Sequence, residues 1–232
     1  MSYTYKIILD QKVDFLNWRD AIKYGGAFGA IWLDRLTSLK DRKFFQAAIQ
    51  MTDGEAERLL EKYLDEKYVN DSYELEMYRE CLEKTYSTKF QKACDILFEL
   101  TGKKPFFKHY DICISTFPVS SYNENDGSMI VKFGDEAPME TFLHEALHIQ
   151  FHNYWQNNPN SAVSKLSAKN FETLKESLTV ILDNDLVPFI EIYDRGYEEH
   201  HAFRQKLHYE WKKHHDFDKL VDFGVKECCH GN

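Results

Sequence analysis

The segment His144-Glu145-Ala146-Leu147-His148 sets two imidazoles four residues apart, with a carboxylate between them. On an α-helix that spacing stacks the rings one turn apart, where both can bind a single tetrahedral Zn²⁺. Glu145 then flanks the open coordination position. From there a carboxylate can take a proton from a metal-activated water and hand it to a leaving amine. At about 100° per residue, Met139, Phe142, Leu143, Ala146, Leu147 and Ile149 cover one side of the helix. His144, Glu145 and His148 fall on the other, on a surface suited to a cleft floor.

A catalytic zinc usually takes three protein ligands and leaves one position for water. His152 continues the i+4 series, but it lies about 12 Å along the axis from His144, too far to share one ion on a straight helix. Phe151 and Tyr154 stand where the longer HExxHxxGxxH pattern needs Gly and His, which excludes that form. Downstream, Phe171, Leu174, Leu178, Ile181 and Leu182 make one apolar helix face, and Val180 widens it. Glu172, Glu176, Thr179 and Asp183 line the other. A Glu in so apolar a segment needs a partner, and a metal is a good one. Both Glu172 and Glu176 are candidates.

Together, His144-Glu145-Ala146-Leu147-His148 and Glu176-Ser177-Leu178-Thr179 resemble the gluzincins, the thermolysin-like zinc metallopeptidase superfamily. The second segment looks like the family's signature for its third ligand. The resemblance spans roughly residues 106 to 190. It implies zinc held by His144, His148 and Glu176, with Glu145 as general base, and hydrolysis of peptide or protein substrates. It further implies that the strand near Ser128 to Phe133 pairs with extended substrate. One position departs from the pattern: Val180 stands where the family has an acidic residue that orients a zinc-bound His. Asp183 is one replacement; Glu172 as ligand with Glu176 behind it is another arrangement. Tyr197, His200, His201, Arg204 and His208 are spaced to share much of one helix face, and each is a candidate to stabilise the oxyanion.

The motif requires a helix to carry it, and the sequence supplies one from Asp135 to about Trp155, with Asp135 as N-cap and Pro138 in the first turn. Before it, Tyr110 to Ser115 and Ser128 to Phe133 alternate like strands, separated by a polar loop from Pro118 to Gly127. The first hundred residues read as helical. One apolar pattern runs from Val13 to Gln50, broken at Gly25-Gly26; a helix start follows at Thr52-Asp53-Gly54-Glu55. Another helix runs from Ser72 to Leu100 and ends at Thr101-Gly102. Helix resumes from Leu166 to Val225, with a break at Pro188 and a fresh start at Gly196. The expected class is α+β, mostly helical. A helical region (residues 1–105) would precede a zincin-like region (106–232) that holds a small antiparallel β element and the active-site helix pair.

Bulk properties narrow the alternatives. Acidic residues outnumber basic ones 38 to 29, and the densest basic stretch, Trp211 to His215, adjoins Asp216 and Asp218. A nucleic-acid partner is therefore not expected. No apolar run approaches bilayer length, so no membrane partner is expected either. Five cysteines without framework spacing point to a reducing, cytoplasmic setting. Cys228-Cys229-His230 reads as a frayed tail rather than a second metal site, because adjacent cysteines chelate poorly. Aromatics at 15% suggest a ring-packed core more than an aromatic groove. Two other classes fit the same residues: a zinc-holding binding or regulatory protein without turnover, and a metal-free helical domain in which the motif is coincidental.

Overall fold

The computed structural model describes residues 2–183 and 196–230. Within them four strands form one mixed sheet and eight α-helices surround it: β1 (Thr4–Ile8), α1 (Gln11–Arg35), α2 (Leu39–Ala48), α3 (Asp53–Asn70), α4 (Ser72–Thr101), β2 (His109–Ser115), β3 (Ser121–Tyr122), β4 (Met129–Lys132), α5 (Pro138–Phe151), α6 (Ala168–Leu178), α7 (His201–His214) and α8 (Phe217–His230). The fold is α+β and mostly helical. No helix among the described residues is long and apolar enough to cross a membrane.

The sheet differs from the expected antiparallel element. Its order is β1-β2-β4-β3, with β1 and β4 both parallel to β2 and only β3 antiparallel to its neighbour. β1 lies in the segment that reads as helical, and Ser121-Tyr122 lies in the segment that reads as loop. Both pair through backbone groups with partners distant in sequence or in short register, which local periodicity does not report. β2 is buried along most of its length, as a central strand covered on both faces should be.

Several local signals act as the sequence suggests. Thr52 opens α3, its backbone N–H donating to the Glu55 carboxylate at 3.2 Å. Gly102 closes α4 in the left-handed region (φ 66°), where a side chain would be strained. Others shift. α1 runs through Gly25-Gly26 without a break, since paired glycines weaken a helix without ending one held by packing; the chain turns instead after Arg35, and Ser38 caps α2 by accepting from Asp41 N–H at 3.3 Å. Pro188 lies outside the described residues. Gly196 adopts φ 61°, and a short 3₁₀ turn (Glu198–His200) precedes α7. Cys228 and Cys229 are not frayed: they belong to α8, where Cys228 is half-buried and shares contacts with Asn170 of α6.

Two apolar cores result. The larger gathers Ile7 of β1, the inner faces of α4 and the sheet, and α5 to α8; Phe142 of α5 is its hub, with ring centroids 5.0 Å from Phe90 and 5.4 Å from Tyr110. The smaller packs Trp18, Phe44, Phe45 and Tyr63 of α1 to α3 against Phe117, two residues beyond β2. Many of the chain's rings pack in these cores, each fully buried one contributing roughly 1.5–3 kcal/mol by burial, whereas Tyr73, Tyr197 and Tyr209 among others stay exposed.

A buried polar joint ties the smaller core to the sheet. Asp14 of α1 accepts hydrogen bonds from Ser115 Oγ (2.6 Å), Thr116 N–H (3.0 Å) and Thr116 Oγ1 (2.7 Å). Burial raises its pKa above the ordinary 3.8, and the hydrogen bonds from Ser115 and Thr116 only partly counter this. A carboxyl with a raised folded pKa stabilises the fold fully below its unfolded pKa, and that contribution is lost as pH rises through the folded value. Asp14→Asn can keep all three bonds, accepting from Ser115 and the Thr116 N–H and donating to the Thr116 hydroxyl. Urea midpoints measured from about pH 4 to about pH 8 should therefore favour Asp14→Asn increasingly as pH rises, by on the order of 1 kcal/mol. Parallel curves for the two proteins would remove the assigned role.

Candidate metal centre

α5 enters the larger core almost from its start. Ala137 is its N-cap, not Asp135, and Pro138 takes the first helical position. Asp135 still holds this end: its Oδ1 accepts from the Ala137 N–H (3.2 Å) and its Oδ2 from the Thr141 hydroxyl (2.5 Å). Met139, Phe142, Leu143, Ala146, Leu147 and Ile149 are buried, as their stripe predicts. The opposite face is less open than an amphipathic helix implies. His144 is partly exposed, but Glu145 retains only 7% and His148 only 2% of its accessible surface.

The two imidazoles converge through the same nitrogen, with Nε2 atoms 2.9 Å apart. α6 brings Glu176 onto them: Oε2 lies 3.7 Å from His144 Nε2 and Oε1 lies 3.5 Å from His148 Nε2. One donor atom from each residue falls within 4.8 Å of the others, and this is the one His/Cys/Asp/Glu group of that kind among the described residues. Phe171, Leu174 and Leu178 bury the other face of α6 and so set its rotation. From α7, buried Arg204 bonds the Glu176 carbonyl (3.1 Å) and the Thr179 hydroxyl (2.5 Å), which fixes the C-terminal end of the ligand-bearing helix.

Protonation suits cation binding. Burial depresses the His148 pKa to about 3, helped by neighbouring His144, so its ring is neutral at ordinary pH. Burial alone would raise the Glu176 pKa, but hydrogen bonds with both imidazoles and the Lys175 charge outweigh it and hold the carboxyl well below its usual range. Lys175 is itself nearly buried. Its Nζ lies 2.7 Å from Glu172 Oε2 and 3.3 Å from Glu176 Oε1, and 5.5 Å from the centre of the Tyr122 ring.

The remaining candidates separate clearly. Glu172 is mostly exposed and engages Lys175 rather than the imidazoles. His152 opens a π-helical turn (His152–Gln156) and meets the Tyr122 hydroxyl at 2.9 Å, away from the triad. Asp183 pairs with Arg204 at 3.5 Å, and among the described residues His148 Nδ1 is buried with no hydrogen-bond partner. Of the five oxyanion candidates, only Tyr197 lines the cleft above the triad. Arg204 is spent behind α6, and His201 is exposed.

That cleft has a volume of about 640 Å³ and is bounded by the end of α1, the Pro118–Ser120 segment, the end of β4, the first turns of α5, and Gly196-Tyr197. His144, Glu145 and Glu176 open onto it, while His148 sits beneath. Among the described residues Tyr197 is the one Phe, Tyr or Trp that lines it. Sequence reading missed three neighbours of the site: Tyr122, Lys175 and Arg35. Only Lys175 carried a local signal, a charge embedded in an apolar helix three residues after Glu172; Tyr122 and Arg35 arrive through tertiary packing alone. No protein-family model, no curated protein and no solved structure matches this chain.

Proposed function

We propose that the chain is a zinc-dependent peptidase of the gluzincin type, with His144, His148 and Glu176 as metal ligands and Glu145 as the proton-transferring base. The observation that carries this reading is the convergence of His144, His148 and Glu176, from two different helices, beneath a cleft that Glu145 also lines. The donor set fits the ion. Zinc bonds of about 2.0–2.1 Å in tetrahedral geometry set ligand atoms about 3.3 Å apart, close to the 2.9, 3.5 and 3.7 Å separations of this group. A neutral His148 and an ionised Glu176 are the protonation states a divalent ion requires.

Zinc in such a site supplies Lewis acidity and brings a water's pKa toward neutrality. The protein's own groups would do the rest. The Glu145 carboxylate would take the proton of the attacking water and return it to the leaving nitrogen. The Tyr197 hydroxyl, whose pKa is raised further above the ordinary 10.0 by partial burial and the nearby Glu176 charge, would donate to the substrate carbonyl oxygen as negative charge develops there. Lys175 would keep Glu176 ionised and aimed, as hydrogen-bonding partners of ligand carboxylates do in metal sites. A cytoplasmic setting belongs to the same reading, since all five cysteines are free. A second reading is a zinc-holding regulatory protein without turnover: among the described residues nothing hydrogen-bonds His148 Nδ1, where catalytic zinc sites place a partner that tunes activity.

Elemental analysis beside a peptide-hydrolysis assay tests the proposal. Native protein and Glu172→Ala should each hold about one zinc per chain, and chelation should abolish hydrolysis. Zinc without hydrolysis of any peptide mixture would favour the regulatory reading. No zinc after incubation with excess metal would end both.

A further inference from the structure

The charges that open onto the cleft are not equally committed. Asp135 is bonded to Ala137 and Thr141, and Glu176 to the imidazoles and Lys175; Glu136, Glu140 and Glu145 add further carboxylates to the same lining. Arg35 and Lys132 also line the cleft, both exposed, and among the described residues neither forms an ion pair. Arg35 ends α1, where its guanidinium lies 5.7 Å from the Trp32 ring, one turn back on the same helix. It also lies close enough to Tyr197 to act on its phenol, and that phenol in turn feels the charges of Glu176 and Glu145. A cation thus lines the same cleft as His144, Glu145 and Glu176, next to the Tyr197 phenol, and has no carboxylate partner among the described residues. Its planar fork matches a carboxylate through two parallel N–H···O bonds. Lys132, at the end of β4, adds a point charge of the same sign in the same cleft.

We infer that Arg35, assisted by Lys132, binds a substrate carboxylate beside the scissile bond, so that the preferred substrates are peptides carrying a C-terminal carboxylate or an acidic side chain at that place. The inference rests on the peptidase reading for the bond that is cut, and on the cleft's uncommitted cations for the group that is held. It gives the helical N-terminal part a task in recognition, because Arg35 reaches the site from α1. The alternative employment for Arg35 is purely structural: a cation in the last turn complements the helix dipole.

Binding separates these roles. Zinc-loaded Glu145→Gln protein, which should not turn substrate over, would be titrated with octapeptide mixtures differing only in C-terminal acid against amide, and in internal Glu against Gln. At least about a tenfold tighter binding is expected for one carboxylate form, in keeping with a charge-assisted pair. The acid–amide arm reports a C-terminal anchor and the Glu–Gln arm a side-chain anchor. Adding Arg35→Gln should erase the preference and Arg35→Lys should restore part of it, with circular dichroism unchanged. No carboxylate preference, a preference that survives both Arg35→Gln and Lys132→Gln, or no peptide binding at all would overturn the inference. Hydrolysis by the native zinc-loaded protein is read alongside. Cleavage without carboxylate preference would sink this inference and leave the peptidase reading standing. Carboxylate-selective binding without cleavage would do the reverse.

Discussion

Glu145→Gln should leave about one zinc per chain in place and lower kcat/KM for peptide hydrolysis by roughly 100- to 10,000-fold, the range that a general base contributes. The expectation follows from position. Glu145 shares the cleft with His144 and Glu176 but does not belong to the convergent donor group. Its amide analogue keeps the shape and removes only the capacity to accept a proton. At 7% exposure the side chain is nearly buried, so a folding defect is the obvious confounder. Retained zinc and an unchanged melting curve exclude it. A metal-loaded Glu145→Gln protein that hydrolyses peptides at the native rate would falsify the assigned base.

His148→Ala should lose both zinc and hydrolysis. The ring is 2% exposed and is the most buried of the three ligands, so its loss leaves the ion at most a water in place of a protein donor. Losing an outer-shell partner typically weakens metal binding by about 10- to 100-fold; losing a ligand should exceed that, leaving near-zero zinc after dialysis. The apo fold should survive, because Phe142, Leu143, Ala146 and Leu147 hold α5 in the core independently of the imidazole. Isothermal titration with zinc, with circular dichroism to verify the fold, measures both points. Unchanged zinc affinity in folded His148→Ala would mean that the metal sits elsewhere. The contrast with Glu145→Gln is what gives the pair its force: one substitution separates chemistry from binding, the other removes both together.

Much of this site is legible in the residues because the relevant period is local. Positions four apart on a helix share a face whatever surrounds them, so His144 and His148 converge as soon as α5 forms, and the apolar stripe that buries α5 can be read from the same segment. The faces of α6 follow likewise, with Phe171, Leu174 and Leu178 inward and Glu172 outward. The choice between Glu172 and Glu176 does not, because both lie on the polar side and the deciding quantity is the rotation and depth at which α6 packs on α5. That is a tertiary outcome, fixed by the core beneath α6 and by Arg204 behind it.

The same boundary runs through the fold. Thr52, Gly102 and the helix periodicities mark elements through backbone chemistry within a few residues, and the α+β, mostly helical class follows from them. β1 is invisible on those terms because its partner β2 lies about a hundred residues away, and only the assembled sheet satisfies its hydrogen bonds. The continuous α1 across Gly25-Gly26, the burial of Lys175 beside Glu176, and the arrival of Arg35 and Tyr197 at one cleft are likewise products of packing. By itself the sequence determined the helix that presents two imidazoles and a carboxylate, since that depends on spacing alone. Which carboxylate completes the group, and which cations look onto it, was decided by tertiary structure, because both depend on how separately formed helices come to rest against one another.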